Sequence, residues 1–263
     1  MVEHNDKQAN RLSSILKELR QAGSVSVEAL CNQLSVSLAT VRRDLEKLEQ
    51  QGLLRRTHGG AVPIEPLFYE AFRHNQSFQD ELGRYADEKR RIARAASELV
   101  SQGDMVAITA GTTTIEVVRS LHSVSGITVV TNTVNVAMEL STRKDINVFM
   151  TGGLLRGDWF SLVGPAASAT MERVFVNIMF IGANGIDAQK GLTCFNADEA
   201  EINCTMVRQA KRRIAVADHS KLGVVTDWLI CPTDAIEMLI TDDGATEKMI
   251  APFLEKGVKV RRV

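Results

Sequence analysis

The sequence predicts two folded parts of different class. A small N-terminal winged helix-turn-helix domain is followed by a larger α/β domain with a mainly parallel sheet. Three observations carry this. A helical stripe, a short helix, a tight turn and a third helix with split faces occupy residues 12–52. A basic pair and a Gly-Gly turn follow in GLLRRTHGGAV. From residue 87 onward, short apolar runs rich in β-branched residues alternate with helical patterns, as expected for strands buried on both faces.

Each element has its own signal. Leu12, Ile15, Leu16 and Leu19 form the stripe of a first helix, with Gly23 as its C-cap. SVSV is a short β-prone piece, and VEALCNQL gives a second helix. After the SVS turn, LATVRRDLEKLEQQG gives a third helix with Ser37 as N-cap and Gly52 as its stop. At 100° per residue, Leu38, Val41, Leu45 and Leu48 share one face, and Ala39, Arg42, Arg43, Glu46 and Lys47 the other. The apolar face should pack on the first two helices, leaving the basic face to enter a major groove. Arg55, Arg56 and His58 fall on the expected wing, where they would touch the DNA backbone.

PIEPLFYEAFRHNQSF marks a boundary, with Phe68, Tyr69, Phe72, Phe78 and Tyr85 clustered there or just after. A plain linker carries few aromatics, so this segment should dock on the second domain or a partner subunit. The expected division is 1–61 for the DNA-binding domain, 62–86 for a hinge and 87–263 for a second domain. In the last of these, EKRRIARAASELV reads as a helix, and MVAIT, ITVVT, INVFM, FVNIMFIG, RIAVA and EMLIT read as strands.

Bulk properties narrow the classes. The chain has 263 residues and a formal net charge of −1. Residues 1–61 hold nine Lys/Arg against seven Asp/Glu, so local clustering, not the total, points to nucleic acid. No apolar run is long enough for a membrane helix, and the N-terminus lacks a signal-peptide core, so the expected location is the cytoplasm, with no membrane partner. Cys31, Cys194, Cys204 and Cys231 form no CxxC pair, so reduced thiols are expected, and neither a metal nor a cofactor.

Ligands of parallel sheets bind at the carboxyl ends of the strands. MVAIT runs into Ala110-Gly111-Thr112-Thr113-Thr114, ITVVT ends at Asn132, and INVFM precedes Gly152 and Gly153. RIAVA leads into Asp218-His219-Ser220-Lys221. Glycines admit close approach of an anion, and threonine hydroxyls and amides at a helix start favour negative charge. Lys221 would meet a phosphate or sugar hydroxyl, and Asp198 or Glu199 would accept hydrogen bonds from hydroxyls. The chain has no GK[ST] loop and no GxGxxG, so a small phosphorylated polyol fits better than a nucleotide.

With these motifs in place, the chain resembles the DeoR family of bacterial transcriptional regulators nearly end to end. VSLATVRRDLEKLEQQGLLRRTHGGA resembles that family's helix-turn-helix signature. AGTTT, VVTNT, MTGGLLR, FIGANGID, GLTCFNADEAEIN and VADHSKLG resemble its effector-domain motifs. Asn177 stands where family members often carry Asp.

The resemblance implies a repressor of a carbohydrate-utilisation operon, with an effector domain similar to ribose-5-phosphate isomerase retained as a sensor. The expected DNA-binding residues are Ser37, Thr40, Arg42, Arg43, Lys47, Arg55 and His58. The expected effector-binding residues are Gly111, Thr112, Thr113, Thr114, Asn132, Gly152, Gly153, Glu199 and Lys221. The expected partners are operator DNA, a phosphorylated sugar, and further copies of the chain in a dimer or tetramer. The alternative is an active sugar-phosphate isomerase with an appended DNA module, using Glu199 or Asp198 as base and Lys221 as electrostatic stabiliser.

Overall fold

The computed structural model describes residues 11–12, 14–16, 18–19, 22–50, 54–63 and 75–263. The chain divides into two compact units, Met1–His74 and Asn75–Val263.

In the first unit the leading helix buries Ile15 and Leu19. It ends at Gly23, whose N–H donates to Leu19 O at 3.0 Å. Strand β1 (Val25–Ser26) runs into helix α1 (Val27–Leu34), where Ser26 Oγ accepts from Ala29 N and caps the helix. Ser35 takes the left-handed conformation at φ 52° and turns the chain into α2 (Leu38–Gln50). Strands β2 (Leu54–Thr57) and β3 (Gly60–Pro63) form an antiparallel hairpin, and β1 pairs with β3 to complete a three-stranded sheet. Gly60 is required by that pairing, because a Cβ there would stand 1.9 Å from Val25 O.

Val41, Leu45, Leu48, Leu30 and Leu54 close this core with Ile15 and Leu19. Two residues depart from the helical-wheel reading. Leu38 is 55% exposed and off the buried stripe, which Asp44 joins instead at 1% exposed. Arg11 of the leading helix pairs with Asp44, and a buried carboxylate is tolerable only with such a partner.

The second unit begins with α3 (Gln76–Gly83) and α4 (Ala86–Ser97), so part of the expected hinge is folded onto this unit. Phe78 packs edge-on against Trp159 and Phe160. Phe68, Tyr69 and Phe72 lie outside the described residues. The chain continues through β4 (Met105–Ile108), α5 (Thr112–Ser120), β5 (Ile127–Thr131), α6 (Val134–Leu140) and β6 (Ile146–Met150). A hairpin of β7 (Leu154–Arg156) and β8 (Ser161–Val163) precedes α7 (Pro165–Met171) and β9 (Val176–Ile181). Then come β10 (Gly185–Asp187), β11 (Gly191–Cys194), α8 (Ala197–Gln209), β12 (Ala210–Val216) and β13 (Trp228–Cys231). The chain ends with β14 (Met238–Thr241), α9 (Glu247–Glu255) and β15 (Lys259–Arg262).

The main sheet has seven strands in the order β15-β14-β12-β9-β4-β5-β6, and each neighbouring pair is parallel. Alternate residues feed two cores. Val106, Ile108 and Phe180 pack with Ile92, Ile115 and Val118 on one face. Ala107, Met179 and Ala215 pack with Met171, Ile202, Met206 and Phe253 on the other. β10, β11 and β13 form a separate antiparallel sheet. The order of the main sheet reverses between β4 and β9, since β5 and β6 extend one way and β12, β14 and β15 the other. Such a reversal splays the connections apart and opens a crevice at the carboxyl ends of the two strands.

Candidate functional site

A cleft opens where that reversal predicts one, with about 600 Å³ of empty space including its mouth. Its walls come from the loops after β4, β9 and β12, from α8, and from α3. Gly111 is the N-cap of α5 and makes no side-chain cap to the first-turn N–H groups that follow it. Thr112 and Thr113, 6% and 7% exposed, line the cleft at this helix start. Glu199 and Asn203 line it one turn apart on α8, and Lys221 closes the side beyond β12.

Five of the expected effector residues therefore meet here: Gly111, Thr112, Thr113, Glu199 and Lys221. The other four are placed differently. Thr114 Oγ1 donates to Thr109 O at 2.8 Å and Gly111 O at 3.0 Å, holding the loop itself. Asn132 is fully buried against the β7–β8 hairpin, where Leu162 N donates to its backbone O at 2.6 Å. Gly153 lies under α7, and a Cβ there would stand 2.6 Å from Val163 O. Gly152, at φ +69°, precedes it in the turn into β7 and does not line the cleft. Asp198 is exposed, whereas Glu199 accepts from Ser161 Oγ at 2.7 Å and lies 3.8 Å from Arg156 Nε. Asn177 is at the opposite end of β9, accepting from Met105 N at 2.8 Å, so its amide has no part in the cleft.

Two lining residues, Glu81 and Trp159, carried no recognisable signal in the sequence, whereas Asn184, Cys194 and Asn203 lie within the FIGANGID and GLTCFNADEAEIN motifs. Glu81 on α3 accepts from Lys221 Nζ at 2.7 Å and lies 3.5 Å from Lys89 Nζ. Lys89 is fully buried, and its ammonium also donates to the Glu81 carbonyl. Burial pushes the Lys89 ammonium below its ordinary range, against the pull of Glu81 and Asp218. Burial, the largest influence, pushes Glu81 upward, but the hydrogen bond and charge of Lys221 together with the charges of Lys89 and Arg84 hold the carboxyl below its usual value. Trp159 and Asn184 complete the wall, and Asn203 Oδ1 is buried with no partner among the described residues. Cys194 is at the floor, with burial raising its thiol pKa, so it is an inert apolar lining.

In the first unit, Arg42, Arg43, Arg55 and His58 are exposed, and Thr40 and Lys47 are half-buried. Ser37 and Thr40 hydroxyls lie 2.9 Å apart at the start of α2. Glu49 on α2 accepts from Arg56 N at 2.8 Å, tying the wing to the helix. Together these place cations on α2 and on the hairpin, the two elements a winged helix brings to DNA.

Comparison with known proteins identifies both units. Residues 11–66 match a family model described as a DeoR-like helix-turn-helix domain, and residues 84–243 one described as the DeoR C terminal sensor domain. The transcriptional regulator GlpR of Haloferax volcanii is 39% identical over 89% of this chain and 89% of its own. The regulator GolR of Listeria innocua is 31% identical over 95% and 97%. The glycerol-3-phosphate regulon repressor of Escherichia coli is 33% identical over 82% and 84%. These relatives, matched along most of both chains, are named as regulators, which decides against the isomerase alternative. Among solved structures, a probable sor operon regulator from Shigella flexneri superposes with TM-score 0.44 at 14% identity, over 64% of this chain and 90% of its own. Ribose 5-phosphate isomerase from Methanocaldococcus jannaschii gives 0.37 at 16%, over 52% and 54%. No helix among the described residues is long and apolar enough to cross a membrane.

Proposed function

Because this chain belongs to the DeoR family of DNA-binding transcriptional regulators, we propose that it represses a carbohydrate-catabolism operon under control of a phosphorylated sugar. One observation carries the reading of the ligand. The uncapped helix start at Gly111–Thr113 stands in the same cleft as Lys221, Glu199 and Asn203. The helix start suits a phosphate, and the carboxylate and amide suit hydroxyls. The E. coli relative is named for a regulon of a phosphorylated polyol, which fits the same chemistry.

Operator contacts are assigned to Ser37, Thr40, Arg42, Arg43 and Lys47 on or before α2, and to Arg55 and His58 on the wing. A single winged helix covers a short site, so the chain acts as a homo-oligomer, dimer or tetramer, that pairs half-sites in the cytoplasm. Control runs through α3. The Glu81 carboxylate already occupies Lys221, and an incoming phosphate competes for that cation. Releasing Glu81 loosens α3, the first element after the division at His74.

The test is fluorescence anisotropy on the protein's own upstream DNA at fixed salt, against sugar phosphates and the matching free sugars. One phosphate shifts the affinity and its free sugar does not, and Thr113→Val loses the shift while still binding DNA. An unchanged response in Thr113→Val removes the phosphate from this helix start.

A further inference from the structure

We propose that Leu38 reads a base: from the first turn of α2 its side chain meets the C5-methyl group of a thymine in the major groove. The inference rests on the DNA-binding role of this helix and not on the sugar-phosphate reading.

Leu38 is the first residue of α2 and is 55% exposed, while Val41, Leu45 and Leu48 of the same helix are each at most 1% exposed. A leucine held in water at this position gives up burial free energy that a bound partner restores. Its neighbours define the partner. Leu38 lines a recess with Arg42, Arg56 and His58, against one carboxylate, Glu28. An apolar protein surface would strip water from both arginines without replacing it, whereas phosphates satisfy them. In a major groove, the apolar feature that marks one base is the thymine methyl. The two hydroxyl residues beside Leu38, Ser37 and Thr40, are hydrogen-bonded to each other, and Thr40 N donates to Ser37 Oγ at 3.3 Å. Helix geometry places Arg42 one turn on, where it reaches a phosphate or guanine while Leu38 packs on the adjacent base.

The experiment replaces thymine by uracil, which removes only the methyl. The full-length protein selects its operator from random duplexes, and each thymine of that site is exchanged in turn. Uracil at one thymine per half-site weakens binding by the parent about fourfold, the worth of one methyl-sized group. Leu38→Ala weakens binding to the thymine operator by a similar factor for each half-site bound and no longer distinguishes thymine from uracil there. Thymines sensed through other residues keep their effect in Leu38→Ala. If Leu38→Ala folds poorly, Leu38→Met retains the thymine preference and Leu38→Gln loses it. The proposal is overturned if no thymine methyl matters to the parent, or if Leu38→Ala discriminates at the same thymine as the parent.

Discussion

Replacing Glu81 with glutamine removes one negative charge from a cluster that holds a fully buried cation. Lys89 is 0% exposed, and its ammonium faces the Glu81 carboxylate at 3.5 Å. Unpairing a buried charge costs about 3–5 kcal/mol. Two features pull Glu81→Gln toward the low end. Asp218 still attracts Lys89, and Lys221, at 20% side-chain exposure, can turn to water. The expected loss is therefore about 3 kcal/mol, or about 6–12 °C in Tm for a unit of this size. Lys89→Met removes the buried charge together with its desolvation cost, so alone it is expected within about 1 kcal/mol of the parent. The double variant should then recover most of what Glu81→Gln loses. Burial already lowers the Lys89 pKa, and loss of Glu81 lowers it further. The deficit is accordingly full while Lys89 remains charged and shrinks as pH rises through that lowered value. Urea unfolding of the full chain, followed by the transition of the second unit, measures all three variants. A Glu81→Gln protein within 1 kcal/mol of the parent, or a double variant that is merely additive, refutes the buried-charge argument.

Three other outcomes follow from the geometry. Gly60→Ala places a Cβ 1.9 Å from the backbone O of Val25, where no rotamer relieves it, so thermal melting should show a loss of at least about 2 kcal/mol in the first unit. Arg43→Ala should cost about 1–3 kcal/mol in operator binding by anisotropy, with sugar-phosphate binding unchanged; full operator affinity would remove Arg43 from the interface. Asp145 has its pKa lowered to about 2 by the Arg143 hydrogen bond, so its contribution is complete above pH 4 and lost as pH falls through about 2. Arg143→Gln should flatten that acid limb in unfolding titrations.

What the sequence carried, it carried through periodicity. MVAIT, ITVVT, FVNIMFIG, RIAVA and EMLIT become inner strands of the main sheet, because burial on both faces demands continuous apolar runs, and INVFM becomes the edge strand β6, although Phe149 and Met150 are exposed. The seventh strand, KVRR at the opposite edge, escapes that signal because three of its four residues are cationic and none is buried. The antiparallel β10 and β11 are short and interrupted by turn residues, so no run announces them, and the four-residue apolar run WLIC of β13 was passed over. On α2 the wheel found Val41, Leu45 and Leu48, but an ideal wheel cannot tell that Asp44 turns inward once Arg11 reaches it, or that Leu38 is left outside. In the second unit the strand-end logic gathered Gly111, Thr112, Thr113, Glu199 and Lys221. It passed over Glu81, which reaches the cleft from a helix preceding the first strand of the sheet, a contact 140 residues apart in sequence. Thr114, Asn132 and Gly153 stand at strand ends for structural reasons, and motif position alone does not separate those reasons from ligand contact.

The proposed control has an energetic consequence of its own. A ligand biases a second site only through a difference in its affinity for two states, and that coupling is reciprocal. If phosphate and Glu81 compete for Lys221, then part of the binding energy is spent displacing a carboxylate held at 2.7 Å. Glu81→Gln weakens that competitor, so the same phosphate should bind more tightly while its effect on operator affinity declines. Tighter binding with weaker coupling is an unusual pair of changes, since loss of a binding residue lowers both. Anisotropy on DNA and calorimetry with the phosphate, run on the same variant, separate the two quantities. If Glu81→Gln binds the phosphate more weakly, the carboxylate is a ligand contact and not a competitor, and coupling does not run through its release.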